Sequence, residues 1–248
     1  MPSIFARFRA IEEKDKAAVV RKLMQSSTPN FDFFYLVGLS VLMATLGLLV
    51  DSPAIVIGSM LIAPILYPIL GIALGLVMSN IEVLTRSTVT LTKSVVISLG
   101  IAILATWLFG DGFVTGEMVA RLDVSIVHVL VAVVAGAAVS FALAQPEWSE
   151  TLPGVAISVA LIPPLAVLGS GIAMFDMTVI GGSVTMLLAN FIGILLAAMV
   201  TFSLMNLSEK ESIAESTIRR EEEKQQKEAE AIAAVVEETN GKHDEQNT

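Results

Sequence analysis

The sequence predicts an all-α, polytopic membrane protein: six transmembrane helices form two inverted three-helix repeats, with a cytoplasmic helix at each end of the chain. Three observations predict this fold. Hydrophobic residues make up 54% of the 248 residues and charged residues 16%, and the apolar ones lie in runs of about twenty, the length that crosses roughly 30 Å of hydrocarbon. Bases are concentrated in alternate connecting segments. A proline-containing motif occurs twice, 100 residues apart.

Composition divides the chain into four segments. Residues 1–30 are predicted to form a cytoplasmic amphipathic segment, residues 31–110 membrane repeat one and residues 111–207 membrane repeat two. Residues 208–248 form an acidic cytoplasmic tail with twelve acids and six bases, which we expect to be helical and then disordered after Asn240. Two interpretations of the N-terminal segment remain open: a helix on the membrane surface, or a solvated helix packed on the body of the protein.

Six apolar runs have the length of a membrane span. Local signals mark several of their ends. Asp51-Ser52-Pro53 is typical of a turn followed by a helix start, and Gln145-Pro146-Glu147 ends the fourth run. The six predicted spans are Phe33 to Val50, Pro53 to Val77, Val89 to Phe109, Val124 to Ala144, Leu152 to Met174 and Val179 to Asn206.

The distribution of Lys and Arg predicts the orientation, because short loops rich in these residues stay in the cytoplasm. The N-terminal segment has six bases, the region after the second span has Arg86 and Lys93, and the tail has six. With six spans these segments share one side of the membrane, and the other side has only Arg121. Both termini are therefore expected in the cytoplasm, with the chain in the inner membrane.

An internal repeat lies within the apolar sequence. Aligning residues 53–73 with residues 153–173 without gaps gives eight identities in 21 positions, including Pro53 with Pro153 and Pro64 with Pro164. If spans one to three repeat as spans four to six, an odd number of crossings separates equivalent residues. The second copy is then inverted in the membrane, as in many transporters.

The prolines predict that the second and fifth helices are broken. Proline has no N–H and clashes with the carbonyl four residues earlier, so Pro64, Pro68, Pro163 and Pro164 should free backbone carbonyls in mid-span. Such groups are tolerated only where protein or a water-filled cavity satisfies them. We therefore expect both breaks to face the bundle interior, near each other, although a single proline also kinks membrane helices for packing alone.

The candidate functional residues are the prolines of the two breaks and the polar residues beside them. Asn190 is the most useful polar residue, since its amide can bind a ligand, cap a broken helix or make an interhelical hydrogen bond. Lys93 is expected to reach the membrane interface, and His128 has no second ligand at metal-binding spacing. The predicted path residues are Ser59, Pro64, Tyr67, Pro68, Ser158, Pro163, Pro164 and Asn190.

Several classes of function have no support in the sequence. The chain has no cysteine, and it lacks a phosphate-binding glycine loop, a serine elbow and a His/Glu metal motif. The net charge of -9 gives no basic surface for nucleic acid. We expect no catalysis, no metal and no cofactor. The expected surrounding is the lipid bilayer, while a small ion or solute and further copies of the chain remain open as partners.

Three stretches carry a resemblance to a known family. SPAIVIGSMLIAPILYPILG, LPGVAISVALIPPLAVLG and ANFIGI resemble the prokaryotic membrane family called domain of unknown function 389. The resemblance covers roughly residues 30 to 206. The chain departs from the family pattern with Ser59, where alanine is usual, and Tyr67, where glycine is usual. The family has no assigned substrate, so the resemblance implies the membrane architecture and leaves the activity open.

Two functions fit these features. The leading hypothesis is a transporter or channel that passes a small ion or polar solute where the second and fifth spans cross. The alternative is a non-transporting scaffold or sensor that acts through its cytoplasmic tail. A polar cavity at the breaks would favour transport, whereas breaks filled by Leu, Ile and Met would favour the scaffold.

Overall fold

The structure, a computed structural model, describes the backbone of residues 13–27, 30–62, 64–143 and 152–246. Side chains are described in the same ranges except for residues 13, 26–27, 152–160, 208 and 233–246. All regular structure within these ranges is helical. The helices are α1 (Glu13–Ser27), α2 (Phe31–Leu49), α3 (Pro53–Met60), α4 (Leu66–Met78), α5 (Ile81–Phe109), α6 (Gly116–Val119), α7 (Ile126–Ala142), α8 (Leu152–Met174), α9 (Met177–Leu204) and α10 (Glu211–Gln246), with a 3-10 turn at Leu207–Lys210.

Short polar side chains begin the long apolar helices. Asn30 Oδ1 accepts a hydrogen bond from the amide of Phe33 at the start of α2. Asn80 Oδ1 accepts from Val83 at the start of α5, and Asp176 Oδ1 accepts from Thr178 and Val179 at the start of α9. Each cap satisfies amides that have no partner within the helix.

The fold is that of a helical membrane protein. By length and composition, α2, α5 and α9 are long and apolar enough to cross a bilayer, and α4, α7 and residues Leu161–Met174 of α8 are shorter apolar helices. α5 begins at Ile81, eight residues before the predicted third span. α10 continues to Gln246, beyond Asn240, where the sequence suggests that the helix ends.

The connections of the bundle gather at two ends. At one, here called the loop end, Thr115 Oγ1 donates to Leu48 O at 2.8 Å and Glu117 N donates to Asp51 Oδ1 at 2.7 Å. At the other, the terminal-helix end, α1 packs on α4 and α10. There Asn80 Nδ2 donates to Glu211 Oε1 at 2.8 Å.

The apolar face of α1 is buried in these contacts. Val20 and Leu23 are completely inaccessible, so residues 13–27 pack on the body of the protein. The predicted membrane-surface helix also includes residues 1–12, which lie outside the described residues.

The corner between α4 and α5 recurs between α8 and α9, 96 residues later. In each corner the residue after the helix has a left-handed backbone, and the next amide donates at 3.0 Å to the carbonyl of a glycine five residues before it. A Cβ on that glycine would lie 2.8 Å from an atom of the following helix, so the close approach requires glycine. The equivalent residues are Gly75, Ser79 and Asn80 in the first corner and Gly171, Phe175 and Asp176 in the second.

The two corners favour a different register for the predicted repeat from the gap-free alignment. A similar turn also follows α2, where Ser52 N donates to Gly47 O at 2.9 Å. The gap-free alignment uses an offset of 100 residues and pairs Pro64 with Pro164. The two corners are 96 residues apart, and this offset, here called the structural register, would pair Pro68 with Pro164. The two offsets differ by four residues, which is about one helical turn. Both registers therefore pair residues on the same face of the helix, and the corners distinguish the two registers.

The second predicted span is broken, as expected. α3 ends at Met60 and α4 begins at Leu66. The fifth is not: α8 runs without interruption through Pro163 and Pro164. The prediction of a second broken helix was therefore wrong. In the structural register Pro64 of the first repeat pairs with Ala160 of the second. The second repeat therefore has no proline at the position equivalent to the one that follows α3.

Candidate functional site

Side chains within the protein satisfy the backbone around the break between α3 and α4. Ser40 of α2 donates its hydroxyl proton to the Ser59 carbonyl at 2.6 Å, and Ser59 Oγ donates to Val56 O at 2.6 Å. The Pro64 carbonyl accepts from the amide of Tyr67 at 3.2 Å. The carbonyls of Val56, Ser59 and Pro64 therefore all have donors. Of these, the Pro64 carbonyl, four residues before Pro68, was expected to be free.

The break also lies partly at the bundle surface. Leu61 is 58% exposed and Ile62 37% exposed, whereas Ile65 and Leu66 just after them are buried. The sequence predicts a break that faces only the interior, and this was wrong for the turn at residues 61–62. Ser40 of α2 satisfies the Ser59 carbonyl just before this turn, while the side chains of Leu61 and Ile62 are exposed.

A polar cavity of about 280 Å³ opens near the loop end of the bundle. Its mouth has the charged residues Glu117 and Arg121 together with His128, and it reaches Pro164 of α8 and Asn190 of α9. Asn190 is 13 residues after the start of α9, which is about 20 Å along the helix axis. The cavity thus extends from the loop end to about the middle of the bundle. Its remaining lining residues are Ala120, Val131, Ala132, Ala135 and Met186.

The charges at the mouth of the polar cavity are balanced. Arg121 Nη1 lies 2.7 Å from Glu117 Oε2, and both side chains are about one-fifth exposed. His128 Nδ1 interacts with Ser125 at the start of α7. Among the described residues there is no cluster of three or more His, Asp or Glu side chains that could hold a metal ion.

An apolar cluster lies between α4, α5, α8 and α9, with the exposed Leu188 at its edge. It surrounds a small cavity of about 150 Å³. In the structural register eight of its nine residues form four equivalent pairs. The residues of this central apolar cluster are Ile65 with Leu161, Ile69 with Leu165, Leu91 with Leu187, Val95 with Phe191, and Leu188.

The structure brings together only some of the predicted path residues. Pro164 and Asn190 line the polar cavity, and Pro163 is buried beside them in α8. Pro68 is buried in α4 and Tyr67 is half-buried against the core. Neither they nor Ser59 and Pro64 are among the described lining residues of this cavity. The side chain of Ser158 lies outside the described residues.

Sequence reasoning missed a row of hydroxyl groups on the buried face of α5. Ser87, Thr90, Ser94 and Ser98 are each no more than 1% exposed, and their spacing of three and four residues puts them on one side of the helix. That spacing is visible in the sequence. Thr and Ser also occur on the outer face of α5, however, and those residues conceal the pattern. We call these four residues the hydroxyl stripe.

Two charged residues of α5 lie outside its buried face. Lys93 is exposed on the outer face of α5, consistent with a side chain that reaches the interface. Arg86 forms ion pairs with Glu82 and with Glu222 of α10. Within the described parts of α2 to α9, the buried polar side chains are hydroxyls and amides.

Comparison with known proteins confirms the resemblance seen in the sequence. The family model for domain of unknown function 389 matches residues 60–196. An uncharacterized protein of Methanocaldococcus jannaschii is 28% identical over 170 residues, which cover 68% of this chain and 53% of the relative. The chain thus spans about half the length of that curated relative.

No solved structure matches the chain. The family model covers more than half of the sequence and includes α4, α5, α7 and α8, which line the polar cavity and the central apolar cluster. The chain belongs to the DUF389 family.

Proposed function

We propose that this protein is a multi-pass transporter or channel of the inner membrane, which passes a small ion or polar solute between its two three-helix repeats. The observation that carries the proposal is the polar cavity, which leads from Glu117 and Arg121 to Asn190 in mid-helix. A polar amide at that depth is expensive in lipid and is usually kept for a function or an interhelical bond.

The proposed topology has six spans, with both termini in the cytoplasm and the second repeat inverted. The recurrence of helix corners at an offset of 96 residues supports it, as does the cross-packing of α4 on α9 and of α8 on α5. The loop end then faces outward, since it has Arg121 as its only base among residues 110–125. The polar cavity is the outer vestibule of the path, and the central apolar cluster closes the path in this conformation.

The test is solute movement in liposomes that contain the purified protein. We expect gradient-driven movement of at least one member of a panel of ions and small solutes. Asn190→Ala should slow it several-fold, because the variant removes the amide at the inner end of the vestibule. Thr185→Ala is the matched control: Thr185 is an exposed residue of α9 whose hydroxyl donates only to its own helix, to Gly181 O.

Absence of movement across the whole panel would contradict the proposal. So would equal rates for the wild type and Asn190→Ala. Binding of the solute without its movement would also count against a transport path.

A second candidate function is a membrane scaffold or sensor that acts through α10. This helix packs on the body through buried residues such as Ala214 and Ile218, but residues 226–232 are all exposed. At 1.5 Å per residue its 36 residues extend about 54 Å, so much of it is available to a partner. Deletion of residues 223–248 separates the two functions, because a scaffold should lose its partner while a transporter keeps its rate.

A further inference from the structure

The buried polar groups of the bundle have no net charge. Ser40, Ser94, Ser98 and Ser170 are completely inaccessible, and Asn190 is 7% exposed. Charged residues of α2 to α9, such as Glu82 and Lys93, lie at the helix ends or on the outer face. A bare ion that crosses the centre of this bundle would find no charge to balance it.

Two carbonyls at the break between α3 and α4 already have donors within the protein. Selective cation sites in membranes are often made of backbone carbonyls that replace the hydration shell of the ion. Here the Ser59 carbonyl accepts from Ser40 and from the amide of Ile62, and the Pro64 carbonyl accepts from Tyr67. These oxygens are already occupied by internal donors.

The hydroxyl stripe offers different chemistry. Thr90 Oγ1 donates to Arg86 O at 3.0 Å and Ser94 Oγ to Thr90 O at 2.8 Å. Ser98 Oγ has no hydrogen-bond partner, the one such buried side-chain oxygen or nitrogen in the described part of the chain. An unsatisfied buried hydroxyl is unfavourable by about 1–3 kcal/mol, so its retention in a packed helix face calls for a ligand.

The hydroxyl stripe runs from the terminal-helix end to the depth of Asn190. Ser98 lies 11 residues before the loop-end terminus of α5, and Asn190 lies 13 residues after the loop-end start of α9. From Ser87 to Ser98 the stripe extends about 16 Å along α5, away from the terminal-helix end. Ser94 is the counterpart of Asn190 in the 96-residue register, and Leu91 and Val95 of the central apolar cluster lie on the same helix. In the 96-residue register the hydroxyl stripe on α5 therefore corresponds to the part of α9 that lines the polar cavity. The face of α5 that has the stripe is buried in this conformation.

Resting on the proposed function, we propose that the solute is a small, uncharged, hydrogen-bonding molecule and that the hydroxyl stripe continues its path from the depth of Asn190 towards the cytoplasm. Hydroxyls both donate and accept, so they can replace the water around a polar but uncharged solute. A bare ion would be transferred to a low-dielectric interior without an opposite charge beside the stripe, which is far more unfavourable. The fully buried Ser98 hydroxyl is then a solute partner.

The experiment compares uncharged and charged probes in liposomes that contain the full-length protein. Stopped-flow light scattering measures the entry of glycerol and urea, and ion-sensitive dyes measure the movement of Na⁺, K⁺ and Cl⁻. We expect glycerol or urea to enter faster than in empty liposomes, with ion movement at the background rate.

Ser98→Ala distinguishes a path residue from a structural one. Because Ser98 Oγ has no partner, its removal should leave the thermal unfolding temperature unchanged or raise it. The same variant should slow the entry of glycerol or urea about fivefold, the effect of one hydrogen bond at the barrier. Thr92→Ala is the control, since Thr92 is an exposed residue of α5 bonded within its own helix.

Each result has a defined meaning. Movement of Na⁺, K⁺ or Cl⁻ without movement of glycerol or urea would overturn the inference and leave the proposed function standing. Entry of uncharged probes at the same rate in wild type and Ser98→Ala would show that the stripe is not the path. If no probe moves, the inference and the proposed function both fail.

Discussion

Ser40 and Ser98 are both completely buried serines in apolar helices, but their hydroxyls differ. Ser40 reaches across to another helix and satisfies the carbonyl of Ser59 at the break, whereas Ser98 has no partner. The sequence alone does not distinguish them, since both lie among apolar neighbours. The difference depends on which atoms of other helices lie within 3 Å.

Ser40→Ala should destabilise the protein. The change removes the donor to the Ser59 carbonyl and leaves that buried oxygen with one weaker partner, the amide of Ile62 at 3.2 Å. The expected loss is about 1 kcal/mol of unfolding free energy, measured as a lower thermal unfolding temperature in detergent. Thr92→Ala serves as the control, and an equal change in both variants would contradict the role of Ser40.

At the scale of elements, glycines determine how closely α5 and α8 approach. A Cβ on Gly169 of α8 would lie 2.4 Å from the Cβ of Ala102 on α5. One turn farther along, Thr106 and Ser170 hydroxyls share a hydrogen bond of 2.8 Å between the same helices. Small residues that allow close backbone contact are the common interface of membrane helices.

Gly169→Ala should therefore destabilise the protein by about 1–3 kcal/mol, the usual effect of overpacking. Gly100→Ala is the matched control on α5, where a Cβ meets no atom within 4 Å. It should be neutral or stabilising by up to about 1 kcal/mol, since alanine favours the helix. Thermal unfolding of both variants tests the difference in sign. Adding Ala102→Gly to Gly169→Ala should recover much of the loss; a purely additive result would contradict direct contact.

Asn80 joins two elements through one side chain. Its Oδ1 caps α5, and its Nδ2 donates to Glu211 and Glu215 of α10. Asn80→Asp keeps the cap but places a carboxylate beside two others, so α10 should detach with little change in the stability of the bundle. Asn80→Ala should lose both interactions and about 1 kcal/mol or more of unfolding free energy. Limited trypsin digestion at Arg219 and Arg220, compared with thermal unfolding, separates the two effects.

The whole molecule has two ends that the proposed topology places on opposite sides of the membrane. The native chain contains no cysteine, so single cysteines report accessibility directly. In intact cells an impermeant thiol reagent should label Phe113→Cys, at the loop end. Ser79→Cys and Ser212→Cys, at the terminal-helix end, should react only after permeabilisation. Labelling of Ser79→Cys in intact cells would contradict the proposed orientation.

Much of the helical pattern can be predicted from the sequence because its causes are local. Apolar runs, Asn and Asp caps and the Ser52-Pro53 start identify helices and most of their ends. The match to the DUF389 family, carried by the two proline motifs, was also predicted correctly. The break after Met60 follows from Pro64, whose missing N–H acts within a few residues.

The tertiary structure decided the close corners between helices, the continuity of α8 and the composition of the site. These depend on contacts between residues far apart in the chain. The close approach of α9 to α8 requires glycine at position 171. Ser40 of α2 donates a hydrogen bond to the carbonyl of Ser59 in α3. The polar cavity joins Glu117 to Asn190, and the central apolar cluster needs four helices at once. Local sequence determined which segments are apolar helices, whereas the packing of side chains against one another decided which polar groups face a cavity.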